Sequence, residues 1–283
     1  MTQAVAEASD PELLLLADLS LAEFLRHLAR YGGSVHEEDG LLMFAGPHPQ
    51  PNPYRNGILR LSGSLPPDEV LRRGNEFFAR RRSSYVVWTR AHGDAALEGR
   101  VSAGALRELE RLPELYMDEL PPETDPPEGI ELRPALDRET RLDYLRVVAD
   151  AWGLRSLPLE TAAQIFFDPE SMAAPNVAAF VAYYDGLPLS GAMTLVTHGV
   201  ALGCQAATIR RPRPGQRLPP YTPGRRGLAE SCLCAALEHS FQELGAQRTV
   251  CQTSSSGEAV WRGLGYRPLT SYGRYLAMPT QRP

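Results

Sequence analysis

The sequence predicts an α/β fold in two lobes, from three observations. Strand-like and helix-like patterns alternate along almost the whole chain. A stretch with four prolines, Pro121 to Gly129, breaks the series near the middle and reads as an extended linker. The 283 residues, 43% hydrophobic and 22% charged, suffice for two ordinary globular units. The expected division is a first lobe over residues 1–120, a linker over 121–129 and a second lobe over 130–283.

In the first lobe residues 1–12 read as a loose tail. Leu19 to Tyr31 has helical apolar spacing with Ser20 placed as N-cap. Leu41 to Ala45, Gly57 to Leu61 and Tyr85 to Thr89 read as strands. Pro66-Pro67-Asp68-Glu69 opens a helix, and Asp94 to Leu109 is a second helical stretch with Asp94 as its cap.

In the second lobe Ile130 to Arg133 is a strand, and Arg138 to Trp152 and Leu159 to Phe167 are helices. Val177 to Tyr184 and Leu189 to Thr197 form a hairpin at Asp185-Gly186, and Val200 to Ile209 is a third strand. A long helix from Gly227 to Leu244 stops at Gly245. Arg248 to Thr253 is a strand, Gly257 to Leu264 a helix and Tyr272 to Ala277 a last strand.

Composition removes several function classes. A net charge of −5 lacks the basic excess of a nucleic-acid binder. All 29 basic residues are arginine, so no Schiff-base or phosphate-loop lysine exists. No histidine pair has zinc spacing, so no metal is expected. The four cysteines form no Cys-x-x-Cys pair and point to a reducing cytoplasm. The apolar run Leu13 to Leu16 is too short for a membrane span and lacks a signal's basic flank.

Two segments carry the chemistry. Gly224-Arg225-Arg226-Gly227-Leu228-Ala229 is a glycine-rich turn entering a helix, where exposed backbone N–H groups and the helix dipole suit a pyrophosphate. The second runs Cys251-Gln252-Thr253-Ser254, then Gly257, Val260-Trp261 and Leu264-Gly265-Tyr266. It resembles the last strand and helix of the GCN5-related N-acetyltransferases (GNAT), with their Leu-Gln-Ala-Ser, Gly, Val-Tyr and Leu-Gly-Phe. Gly227 and Ala229 match the fourth and sixth positions of that family's Gln/Arg-x-x-Gly-x-Gly/Ala loop, and Gly224 departs from its first.

The resemblance implies a mixed central sheet flanked by helices in two GNAT-like lobes, the first degenerate, with Pro66, Pro67 and Asp68 where a phosphate loop would stand. It also implies acetyl-coenzyme A as co-substrate and an N-acetyltransferase acting on a small-molecule or peptide amine. By the same likeness Arg225, Arg226, Gly227, Leu228 and Ala229 would take the phosphates, and the strand end Ala206, Ala207 and Thr208 the pantetheine. Ser254 and Trp261 would adjoin the ligand.

Trp261 stands where the family commonly uses a tyrosine as general acid, and an indole N–H is no acid. Ser254 and Tyr272 are therefore the catalytic candidates, with Tyr275 beside them. No acid occurs between Val200 and Ile209 to act as base. Trp152, Phe166 and Phe167 are candidates to line the amine groove, and Arg210 to Pro223 is an insertion rich in Arg and Pro. A non-catalytic module of the same fold, binding an acyl-coenzyme A or a protein, is the alternative.

Overall fold

The computed structural model describes residues 10–47, 52–104, 106–122, 125–166, 168–209, 227–254 and 257–279. Helix α1 (Pro11–Arg30) begins well before Leu19. Asp10 is its N-cap, accepting from the Glu12 N–H at 2.9 Å, and Pro11 pre-sets the helical φ. Ser20, expected as the cap, is fully buried inside the helix. One stripe of α1 (Leu13, Ala17, Phe24, Leu28) joins the core of the C-terminal half, and another (Leu21, Ala22, Leu25, Ala29) packs with Phe44 and Trp88. The helix is thereby shared between the halves.

Strands β1 (Ser34–Glu38), β2 (Leu41–Ala45), β3 (Asn56–Arg60) and β4 (Tyr85–Arg90) follow, with helix α2 (Pro67–Ala79) between β3 and β4. The polar edge strand β1 carries no apolar pattern and escaped the sequence reading. Helix α3 (Ala95–Ala103) stops at Gly104, short of the expected Leu109, and Arg107–Met117 becomes strand β5. Its run of charged residues hides its alternation. Asp94 holds the N-cap position of α3 but makes no capping bond with its side chain.

The second half contains β6 (Ile130–Pro134), α4 (Arg138–Ala151), α5 (Leu159–Ile165), a 3₁₀ turn (Pro169–Ala173), β7 (Val177–Tyr184), β8 (Leu187–Thr197) and β9 (Val200–Thr208). Helix α6 (Leu228–Gln242), β10 (Arg248–Gln252), α7 (Glu258–Gly263) and β11 (Arg267–Ala277) complete it. The β7–β8 hairpin turns at Asp185 and Gly186 with φ of 50° and 73°, the left-handed pair that a tight two-residue turn requires.

The eleven strands among the described residues form one sheet in the order β1-β2-β3-β4-β11-β5-β10-β9-β8-β7-β6. The last strand, β11, lies antiparallel between β4 and β5, and β5 lies between β11 and β10. A strand from each side of the proline-rich stretch is thus inserted into the other half. Helix α4 packs on the sheet face where Gly191 meets Tyr144, and α6 on the opposite face, where Thr194 shares a 2.7 Å hydrogen bond with Ser240. A Cβ at Gly191 would stand 2.6 Å from the Tyr144 ring, so this close approach requires glycine.

Candidate active-site cleft

Strands β9 and β10 run parallel and pair only from Val200–Arg248 to Gly203–Cys251, although β9 continues to Thr208. Two features turn β9 away. Its pairing with β8 passes from Ala207–Gly191 to Cys204–Met193, which leaves Gln205 and Ala206 opposite Ala192 alone. This is a bulge, with Gln205 at φ 52°. The Tyr144 hydroxyl fixes it by donating to the Gln205 carbonyl at 2.8 Å.

The second feature is Trp261 of α7, whose ring lies on the backbone of Gly203. A Cβ there would sit 3.2 Å from Cη2. Tyr266 meets the indole edge to face at 5.1 Å and shares a 2.9 Å hydrogen bond with Thr249 on β10.

The opening between the strands is a cleft of about 470 Å³. Tyr54, Trp152, Phe166 and Trp261 supply its aromatic walls. Glu110 of β5 and Arg274 of β11 lie in it as cross-strand partners joined by an ion pair. The Arg274 guanidinium also lies over the rings of Tyr54 and Trp88, at 5.3 and 5.5 Å.

Tyr54 reaches the cleft from the turn before β3. The Asn52 carboxamide oxygen accepts from its N–H at 2.9 Å, and the Trp88 indole donates to the Pro53 carbonyl at 2.9 Å. Burial pushes the Tyr54 phenol above 10, and nearby Arg274 offsets part of the rise. The phenol therefore carries its proton throughout the neutral range.

Behind the cleft, on the same face of β5 as Glu110, lies Glu114, paired across strands with Gln252 and Thr270. It is fully buried with the Gln252 amide beside it, and neither oxygen meets hydrogen-bond geometry among the described residues. Burial, then the charge of Asp18, pushes its carboxyl well above the usual range, and the Gln252 amide offsets part of this. Three cysteines are inert by comparison. None of the four forms a disulfide, and burial pushes Cys232 to about 12 and both Cys204 and Cys251 upward.

The structure distributes the expected site residues unevenly. Ser254, Trp261 and Ala206 line the cleft, as do Trp152 and Phe166 of the expected groove. Ala207 is buried, its carbonyl accepting from Ser190 at 2.7 Å, and Thr208 shares a 2.9 Å bond with the same serine. The main-chain carbonyl of Ser254 accepts from the N–H groups of Gly257 and Glu258 at the start of α7. Gly227 stands at the N-cap of α6 with φ 93°, followed by Leu228 and Ala229 in the first turn. Arg225, Arg226, Phe167 and the insertion from Arg210 to Pro223 lie outside the described residues.

Tyr272 is not brought to the cleft. It is fully buried and donates to Asp18 Oδ1 at 2.8 Å. Asp18 also takes Arg90 at 2.9 Å and His92 at 3.1 Å, and Arg90 and Arg60 both bind Asp94. The tyrosine thus belongs to a buried charge network that ties α1, β3 and β4 to β11. Tyr275 is nearly buried and accepts from Arg111 at 3.0 Å. Tyr54, Glu110 and Arg274 were missed by sequence reading because only the strand exchange brings them together.

Fold and cleft together define a class: the chain has the fold of the GCN5-related N-acetyltransferases, with its parted parallel strands and short helix beyond. It is similar to a GCN5-related N-acetyltransferase from Kribbella flavida, at TM-score 0.68 and 16% identity, over 95% of this chain and 96% of that one. A tandem GNAT protein from the clavulanic acid biosynthesis pathway aligns at TM-score 0.56 and 13% identity over 95% and 98%. A GCN5-related N-acetyltransferase from Sphaerobacter thermophilus aligns at TM-score 0.56 and 15% identity over 86% and 78%. No family model and no curated protein sequence matches the chain. Among the described residues no helix is long and apolar enough to cross a membrane, and no group of three or more His, Cys, Asp or Glu is placed to hold a metal ion.

Proposed function

We propose that the protein is an acetyl-coenzyme A-dependent N-acetyltransferase that acts on a small-molecule or peptide amine by direct attack. The observation that carries this reading is the parting of β9 and β10 over a cleft holding a protonated phenol, Tyr54, and a carboxylate, Glu110. Gly227 fits a phosphate-binding turn, since φ 93° needs no side chain and the first N–H groups of α6 have no acceptor within the helix. Leu228, Ala229, Arg225 and Arg226 belong to the same proposed grip. The exposed main chain at Ala206, with Ala207 and Thr208, would bond the pantetheine arm, and Ser254 and Trp261 would flank it.

Bound acetyl-coenzyme A supplies the reactive thioester carbonyl. The acceptor nitrogen attacks that carbon as the carbon–sulfur bond breaks. Glu110, held by Arg274, takes the proton of the amine, and Tyr54 Oη gives its proton to the departing sulfur. Both groups re-equilibrate with solvent between turnovers. The buried thiols favour no covalent intermediate on the enzyme.

In this proposal residues 130–283 form the coenzyme-binding lobe and 121–129 the connection. The first lobe is a degenerate copy that lends Tyr54 and Glu110 to the cleft. A cytoplasmic location goes with it, supported by four cysteines that form no disulfide.

Thiol release from acetyl-coenzyme A over a panel of amines tests the function, with melting temperature read alongside. Turnover of at least one amine is expected. A rise in melting temperature with no turnover of any amine favours a non-catalytic module, the reading that Trp261 in place of the family's tyrosine supports. No effect on either readout refutes both.

A further inference from the structure

The cleft contains more unmet polar capacity than its own residues use. Arg274 is 6% exposed, and one guanidinium nitrogen pairs with Glu110. Its Nε and Nη1 are buried with no acceptor among the described residues. Gln205 of β9 keeps a buried carboxamide oxygen, an acceptor, without a partner among the same residues, and Gln252 of β10 has its amide beside Glu114. All three side chains line the same cleft. Buried donors on a charged group are seldom left unmet, so Arg274 is placed for an acceptor-bearing ligand.

Charge narrows the ligand. Among the described residues Glu110 is the one acid lining the cleft and Arg274 the one base. A polycationic amine would need several acids. A dianionic phosphate would need excess positive charge, and Glu110 removes it. One cation beside one anion is complementary to a zwitterion. The aromatic walls, Tyr54, Trp152 and Phe166, suit an apolar or aromatic side chain, and about 470 Å³ is within the range of small-molecule sites.

We propose that the acceptor is a free amino acid with an apolar or aromatic side chain. Its carboxylate takes an unmet N–H of Arg274, and its amino group faces Glu110. The inference rests on the transferase reading and specifies its substrate class. The bond formed is between the amino nitrogen and the acetyl carbon, the bond broken is carbon–sulfur, and the product is an N-acetyl amino acid with coenzyme A thiol.

The test compares L-phenylalanine, L-leucine and L-methionine with their primary amides in the thiol-release assay. Rates are taken per unprotonated amine, because the amides are less basic. The free acids should exceed the amides in kcat/KM by about 100-fold, as a charge-assisted contact to guanidinium implies. Arg274→Gln should reduce that ratio to below about 10-fold. Equal use of acid and amide by the wild-type enzyme overturns the proposal and leaves the transferase reading standing. If no amine is turned over, calorimetry with L-phenylalanine and its amide decides. Carboxylate-dependent binding lost in Arg274→Gln upholds the subsite while the transferase reading falls, and equal or absent binding overturns both.

Discussion

Glu114 makes a sharp demand on stability. Its carboxyl lies in the middle of the sheet between β10 and β11, fully buried, with neither oxygen in hydrogen-bond geometry among the described residues. Burial, reinforced by Asp18, raises its pKa in the folded state. The unfolded chain releases this proton near pH 4.3 and the folded chain keeps it to a higher pH. Between those limits the folded state binds more protons, so stability falls as pH rises, by up to about 1.4 kcal/mol per pH unit.

Replacing Glu114 by Gln keeps the shape and removes the titration. Urea unfolding of both proteins from pH 4 to pH 8 isolates the effect, because the other ionisable groups cancel in the difference. The two should be nearly equally stable near pH 4, with the variant gaining up to about 1.4 kcal/mol per pH unit above it until the folded-state carboxyl ionises. Each kcal/mol would appear as about 2–4 °C of melting temperature in a protein of this size. Parallel pH profiles would show that Glu114 titrates alike in both states and would refute the argument.

Other outcomes follow from the same structure. Burial would raise the Asp94 carboxyl, but hydrogen bonds and charge from Arg90, with Arg60, hold it low. Asp94→Ala strands both guanidinium groups and should cost about 3–5 kcal/mol in denaturant unfolding. The native Asp94 contribution is present above its unfolded pKa and is lost as acid protonates it. His27 is buried and bonded to the Ser171 carbonyl at 2.9 Å, and burial lowers its pKa. Its neutral form should therefore give stability that declines below about pH 6.5, a decline reduced in His27→Gln and read by thermal melts across pH. Tyr54→Phe should lower kcat for thiol release by about 10²–10⁴-fold and leave the affinity for acetyl-coenzyme A unchanged by calorimetry.

Much of the second half was legible in the sequence because its signals are local. Asp185-Gly186 fixes a hairpin, Gly227 and Gly245 bracket α6, and the segment from Cys251 to Tyr266 carries its own motif. The first half was harder to read. Asp10-Pro11 opens α1 with a cap less conspicuous than Ser20, and the acids and arginines of β5 hide its alternation until Glu110 is seen to pair with Arg274 of β11 and Arg111 with Glu98 of α3.

The cleft divides in the same way. Trp261, Ser254 and Ala206 follow from the motif. Tyr54, Glu110 and Arg274 follow from the placement of β5 and β11 side by side, a non-local fact that no window of sequence contains. Tyr272 is on the expected strand, but its hydroxyl is committed to Asp18, and sequence spacing does not reveal such a buried partner.

The most direct measurement is a crystal structure of the protein with acetyl-coenzyme A. The account predicts the diphosphate on the backbone N–H groups of Leu228 and Ala229 at the start of α6. It places the thioester between the parted strands, with sulfur within hydrogen-bonding reach of Tyr54 Oη. Acetyl-coenzyme A bound away from Gly227, or no bound molecule at saturating concentration, would contradict it.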